Sequence, residues 1–269
     1  MKKVLLIFVF LVSCLWANGE YHTKIGDNEV WIFSLKTHAL KTSVLLPQNK
    51  ADERLIQEAY PKGEIVNEHN VMLIKNGDFV ALVDTGFADT LESLKNALKQ
   101  AKLKPNDISH IIITHAHPDH IGAFMSKKNP FTKAQVLIDE KEYEYWTTSG
   151  ANEEIKNALK SIKNKAFFDH SKKLIKDDSI ISAIPAYGHT PGHNMIMLQD
   201  KDTQLIFWAD LLHAFDVQTK QPNISVSFDT DAKKAAQTRT QFLKQFKKDK
   251  SQVVGSHVPF IEPVVLKQK

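Results

Sequence analysis

Beyond residue 64 the chain alternates between two kinds of apolar spacing. Short apolar runs at 71–74, 79–83, 111–113, 135–138, 180–184, 195–198, 205–208 and 253–254 read as strands. The first two flank Asn76-Gly77, which predicts a hairpin because glycine enters positive φ without steric cost. The runs 195–198 and 205–208 flank a turn at Asp200-Lys201-Asp202. Leu91, Leu94, Leu98 and Ala101 recur at helical spacing, with Asp89 or Thr90 as N-cap. Further helices are predicted over 141–147, 153–165 and 232–246, the last with Ala235, Phe242 and Phe246 near one face. Residues 47–64 are polar and read as a loop or a short edge helix. Interleaving of this kind predicts one layered α/β domain over residues 18–269 rather than segregated α and β domains.

The first 17 residues, MKKVLLIFVFLVSCLWA, have a different pattern. Lys2 and Lys3 precede an apolar run from 4 to 12 that is too short to span a membrane comfortably, which is the layout of a secretory signal. The protein is therefore expected to be exported, periplasmic or secreted. Two processing routes fit. Cleavage after Ala17 leaves a free chain starting at Asn18. Leu11-Val12-Ser13-Cys14 also resembles a bacterial lipobox, in which Cys14 would carry a lipid and supply the only membrane attachment expected.

Composition narrows the chemistry. Of 269 residues, 42% are apolar and 25% charged, ordinary globular values that exclude disorder, collagen and coiled coil as the main class. A single cysteine permits no intrachain disulfide and no cysteine-rich zinc module. The net charge of +4 comes without a dense basic tract, and removal of Lys2 and Lys3 lowers it, so no nucleic-acid partner is expected. The 12 histidines are many for this length.

Several of them are concentrated in THAHPDHIG at 114–122. In extended chain a period of two puts His115 and His117 on one face, where both can share an ion. Pro118 bars a regular strand and redirects the chain. Asp119 and His120 complete four ligand-type side chains within six residues, and packing these together is unfavourable without an ion. The segment predicts a metal site.

HAHPDH at 115–120 also resembles the HxHxDH signature of the metallo-β-lactamase-fold hydrolases. Further elements of that family's pattern follow in order: Asp84 in LVDTG, His189 in GHTPGH, Asp210 in FWAD and His257 in GSH. The resemblance implies a four-layer αββα sandwich with the metal site at one edge between the sheets. It implies that His115, His117 and His189 bind one ion, that Asp119, His120 and His257 bind a second, and that Asp210 bridges them. Such a thiolate-free set suits two zinc ions, with Mn, Fe or Co as substitutes. Asp84 would orient a ligand histidine or a loop amide, or alternatively cap the turn before Thr85-Gly86. Two ions would hold a bridging hydroxide for attack on a lactone, carboxylic ester or phosphotriester. Asp119 would orient the hydroxide and take its proton. His213 would donate a proton to the leaving group, or else merely pack beside the site. His193 reads as structural, and His22, His38, His69, His110 and His170 as surface or core residues.

Within the family, DTGFADTL (84–91), EYEYW (142–146), AFFDH (166–170), FWADLLH (207–213) and SFDTDAKKAA (227–236) are similar to the branch of methyl parathion hydrolase and lactonase-like enzymes. Asp210 counts against a dedicated β-lactamase, and too few residues follow His257 for the helical domain of glyoxalase II. The other readings are a β-lactamase, a mononuclear iron persulfide dioxygenase and a non-catalytic zinc protein. The substrate is expected to be a small, neutral, rather apolar molecule, with Phe124, Trp146, Phe167, Phe168 and Phe215 lining its pocket and Trp31 and Phe33 at the mouth. Each of these aromatics has core packing as its alternative. An apolar patch on loops 36–64 and 139–175 would support a homodimer.

Overall fold

The computed structural model describes residues 19–148, 152–174 and 180–267. The leader, with Cys14 and the cleavage sites, lies outside the described residues. The chain opens with a hairpin of β1 (Glu20–Ile25) and β2 (Asn28–Lys41), then the short β3 (Leu45–Leu46) and helix α1 (Lys50–Ala59). β4 (Glu64–Asn76) and β5 (Phe79–Val83) form the expected second hairpin, with Gly77 at a φ of 55° in its turn. α2 (Leu91–Gln100), β6 (His110–Ile112), α3 (Gly122–Met125), β7 (Gln135–Ile138), α4 (Glu140–Thr148), α5 (Glu153–Ser161) and β8 (Lys165–Phe167) follow. These strands make one mixed sheet in the order β1-β2-β4-β5-β6-β7-β8.

The second half contributes β9 (Ile180–Pro185), β10 (Asn194–Asp200), β11 (Thr203–Phe207), α6 (Phe215–Gln218), β12 (Ser225–Val226), α7 (Ala232–Asp249), β13 (Gln252–Val254) and β14 (Val264–Val265). Its sheet runs β14-β13-β11-β10-β9, and β12 pairs separately with β3.

Strand periodicity explains the layering. Val30 and Ile32, Met72 and Ile74, and Ala81 and Val83 turn one way, into a core shared with Ile196, Leu198, Leu205 and Val253 of the second sheet. Their alternates, Trp31, Phe33, Val71, Leu73, Val80 and Leu82, turn the other way and pack on Leu94 and Leu98 of α2 and Ile155 and Leu159 of α5. On the far side of the second sheet, Leu243 and Phe246 of α7 close the stack. The result is the expected αββα sandwich.

The polar segment before residue 64 forms the short helix α1, one of the two readings of the sequence, capped by Asn49, whose side chain accepts from the amides of Ala51 and Asp52. Local details differ elsewhere. α5 ends at Ser161, and residues 165–167 pair with β7 as an edge strand instead of continuing the helix. Thr90 sits at the N-cap of α2, but its hydroxyl donates to the carbonyl of Phe87 rather than capping the helix. β6 stops at Ile112, so His115 and His117 lie on a loop beyond the strand. Alternation survives there all the same, because the intervening Ala116 is buried in the helix-side core.

Candidate metal centre

The loops that leave the strand ends converge at one edge of the sandwich. His115 Nε2 and His189 Nε2 each lie 3.1 Å from His117 Nδ1. Asp210 Oδ2 is 3.5 Å from His115 Nε2 and 3.3 Å from His189 Nε2. Asp210 also meets a second group with both oxygens: Oδ1 is 3.2 Å from His120 Nε2, and Oδ2 is 3.1 Å from His257 Nε2. Asp119 Oδ2 approaches His257 Nε2 at 3.3 Å and His120 Nε2 at 3.6 Å. The seven residues picked out in the sequence thus meet as two groups that share Asp210.

Each of four histidines is held from behind, so that its free nitrogen points inward. His120 Nδ1 donates to Asp84 Oδ2 at 2.8 Å, and His189 Nδ1 donates to Asp229 Oδ1 at 2.8 Å. His257 Nδ1 lies 3.0 Å from both Asn67 Oδ1 and the carbonyl of Glu68, and His115 Nδ1 lies 3.2 Å from Thr114 Oγ1. Protonating the outer nitrogen leaves the inner one with a lone pair, which is the tautomer a metal needs.

Two carboxylates fix the loops themselves. Glu142 is fully buried on α4 and accepts from the Ala116 amide, Trp146 Nε1, Thr190 Oγ1 and the Gly192 amide, at 2.7–2.8 Å. It therefore pins the His115–His117 loop to the loop that follows His189. Gly192 is obligatory in this clasp, since a Cβ there would sit 2.4 Å from the Glu142 backbone nitrogen. Asp84 accepts from both the amide and the hydroxyl of Thr114, at 2.9 and 2.7 Å, in addition to holding His120. It does so at a φ of 62°, and Ala209 beside Asp210 has a φ of 48°; non-glycine residues seldom adopt such values except where the surroundings enforce them. His193 has the structural role expected: its Nδ1 donates to the Ala186 carbonyl and its Nε2 accepts the Asp210 amide, each at 3.1 Å.

Electrostatics divides the histidines into two sets. Burial opposes charge on His189, but hydrogen bonds to Asp210 and Asp229 overcome it and push its pKa up to about 9. Burial is likewise overcome at His257, where attraction to Asp210 and a hydrogen bond to Asp119 raise the pKa to about 10. Burial dominates at His117, which falls to about 3, and at His213, which falls to about 4 despite its hydrogen bond to Asp210. For Asp210 burial acts upward, and the surrounding histidines, His120 first, hold it well below the carboxylate range.

The donor set fits divalent ions. A ring nitrogen carries one proton or one lone pair, so His117 Nδ1 cannot satisfy both His115 and His189 by hydrogen bonding. Buried His120 Nε2 and Asp210 Oδ1 have no hydrogen-bond partner among the described residues, although they face each other at 3.2 Å. A tetrahedral ion with bonds of about 2.0–2.1 Å has ligand–ligand edges of about 3.3–3.4 Å, in the range seen here. His115, His117, His189 and Asp210 form one compact ligand group, and His120, Asp210 and His257 another.

Comparison with known proteins agrees with this geometry. The family model described as "Metallo-beta-lactamase superfamily" matches residues 65–257. The chain belongs to the metallo-beta-lactamase superfamily. Among superfamily structures it resembles AidC, a dizinc quorum-quenching lactonase solved with a homoserine product, at a TM-score of 0.82 and 25% identity over 94% of this chain and 95% of that one. It also resembles the hydrolase AbOPH, at a TM-score of 0.81 and 25% identity, with 94% of each chain covered. Among curated proteins, YobT of Bacillus subtilis is 30% identical over 51% of this chain and 59% of its own length. An N-acyl homoserine lactonase of Bacillus sp is 23% identical over 72% of this chain and 70% of its own. The matches to YobT and to metallo-beta-lactamase domain-containing protein 1 of Xenopus laevis span only 59% and 42% of those relatives.

A cleft of about 290 Å³ opens over the two groups. Its walls are His38, Leu40, Asn67, His69, Phe87, Pro118, His213 and Phe228, with His117, Asp119, Asp210 and His257 at the floor. None of the five aromatics expected from the sequence lines it. Trp146 is buried in the helix-side core, with its ring 5.7 Å from that of His117, and Phe124 packs on the same core. Phe168 and Phe215 pack against the inter-sheet core, and Phe167 is an exposed edge residue beside Tyr143. Trp31 and Phe33 are core residues as well. The motif-bearing loops turn their polar side chains to the metal edge, which leaves large aromatics in the same segments to fill the layers behind. The aromatic walls come instead from Phe87 and Phe228. The sequence pointed to no site role for Glu142, Asp229, Asn67 or His69; of these, Glu142 and Asp229 lay in motif segments, EYEYW and SFDTDAKKAA.

Two outcomes follow. In the metal-free protein at pH 7–8, His189 and His257 carry protons, because their folded pKa values of about 9 and 10 exceed the ordinary 6.5. Their contribution to apo stability is complete below 6.5 and is lost as pH rises through 9 and 10. Metal uptake at pH 7–8 should therefore release at least two protons per chain, read by calorimetry in buffers of differing ionisation enthalpy, and affinity should fall with falling pH. Asp84→Asn should weaken one metal equivalent about 10–100-fold in a chelator-competition titration and affect the other less, since Asp84 bonds His120 directly and reaches His115 only through Thr114.

Proposed function

We propose that the protein is an exported binuclear metallohydrolase, with zinc as its ion, that opens a lactone, carboxylic ester or phosphotriester of neutral, rather apolar character. One observation carries the reading: two ligand groups sharing Asp210 lie at the floor of a cleft with no lysine or arginine among its lining residues. In this reading His115, His117 and His189 hold one ion, Asp119, His120 and His257 hold the other, and Asp210 is common to both. When bound, such a pair polarises an ester oxygen and lowers the pKa of water towards about 7.

The chain's own groups do the rest. Asp119 is the most exposed of the carboxylates here and lines the cleft, where it would accept a hydrogen bond from the attacking water. His213 lines the cleft with Nε2 3.1 Å from Asp210 Oδ2. Burial keeps it neutral, so its single N–H, on Nε2, donates to Asp210 Oδ2; it serves a substrate oxygen by exchanging that carboxylate for the substrate, not as a charged acid. Leu40, Phe87, Pro118 and Phe228 offer an apolar wall for an acyl or aryl group, and the lining has no lysine or arginine to pair with a carboxylate on the substrate. The lactonases among the relatives favour a lactone within this class. Export rests on Lys2, Lys3 and the apolar run that follows; among the described residues no helix is long and apolar enough to cross a membrane.

The decisive experiment is a panel of N-acyl homoserine lactones, aryl esters, a phosphotriester and a β-lactam, run on metal-replete protein with its metal content measured. Two metal equivalents and preferred turnover of a lactone or ester are expected. Preference for the β-lactam, or a single iron per chain, would overturn the reading.

A further inference from the structure

The cleft contains one histidine to which the ligand set gives no task. His69 lies on β4, buried, between Phe87 and His38, with ring centroids at 4.6 and 4.8 Å. Strand alternation puts it on the same face as Asn67, and both line the cleft. Its Nε2 is buried without a hydrogen-bond partner among the described residues, while Nδ1 points to Asp119 Oδ2 at 3.7 Å. Its ring stands edge-on to that of His257, 5.0 Å away.

We propose that His69 is a further ligand to the ion held by Asp119, His120 and His257. The ligand atoms of His69, Asp119 and His257 lie within 4.8 Å of one another. His69 forms this compact group with Asp119 and His257 and none with His120 or Asp210; two ligands of one ion with bonds of about 2.1 Å lie no more than about 4.2 Å apart, so metal binding must draw the His69 ring inward across the Asp119–His257 edge. The same strand also supplies the two acceptors behind His257, Asn67 Oδ1 and the Glu68 carbonyl, so three successive residues of β4 address one ion. Glu68 is itself anchored by Ser34 and Thr37, at the place where the β2–β4 register shifts.

The chemical consequence is an asymmetric pair of positions. The His115/His117/His189 group with Asp210 is complete at four ligands and suits a tetrahedral ion. With His69 the other position has five protein ligands, and that number suits an ion of higher coordination such as Mn, Fe or Co. The inference rests on the binuclear reading above.

Titration of the full, metal-free protein with Co2+ tests it, with visible absorption and affinity recorded for each equivalent. His69→Ala should weaken one equivalent about tenfold or more, leave the other unchanged, and intensify the visible bands, since fewer ligands give stronger ligand-field absorption. His69→Gln, whose amide oxygen can still coordinate, should recover part of the affinity, which a purely packing role would not produce. Thermal unfolding of the apo variants checks the fold, and His69→Gln alone is read if the alanine variant does not fold. Unchanged affinities and spectrum, with two equivalents still bound by the parent protein, would overturn the ligand role and leave the binuclear reading standing. A parent protein that binds only one equivalent would overturn both.

Discussion

The structure depends on one unfavourable act, the burial of Asp210 among imidazoles at the edge of two sheets. A carboxylate removed from water costs several kcal/mol unless charge is brought to it. In the metal-free protein that charge is a set of protonated histidines, His120, His189 and His257. Divalent ions bound there would replace those protons with more concentrated charge at the same point. Folding and metal binding therefore use the same attraction, and pH sets the balance between them.

Everything adjacent to the centre serves to keep that burial ordered. Asp84 and Ala209 carry the positive φ values on either side of it, and Glu142 and Arg239 tie the converging loops. Arg239, buried on α7, donates to the Leu211 carbonyl, and its guanidinium lies 3.5 Å from Asp229, the partner of His189. The second sheet and α7 thereby hold the Asp210 loop and the His189 loop in fixed relation. These contacts orient groups that touch the ions, and loosening any of them would blunt the site without removing a ligand.

The cleft inherits its character from this arrangement. The candidate ligand groups are concentrated at the floor, and the walls carry no lysine or arginine. In the proposed reading, substrate polarity is met at this floor and substrate bulk at the walls. Loops set that selectivity, which explains why family membership fixes the chemistry more tightly than the substrate.

The sequence alone was enough to indicate the layered α/β fold and the seven candidate ligands. Strand alternation and helical spacing are local, and His115, His117, Asp119 and His120 fall within six residues, while His189, Asp210 and His257 came from the resemblance to the family's ordered motifs. It also placed Asp84 beside the centre. Only the tertiary structure decided the rest. His115 and His117 converge from a loop rather than a strand face, because β6 ends early and Glu142, from a different helix, holds Ala116. The expected pocket aromatics became core, while Phe87 and Phe228, 141 residues apart, became walls. Asn67 and His69 gained their roles only when β4 brought them against His257, 190 residues from Asn67. Local pattern determines which face of an element is apolar, but it carries no record of which distant side chains will share that face. The packing of the two sheets settled that.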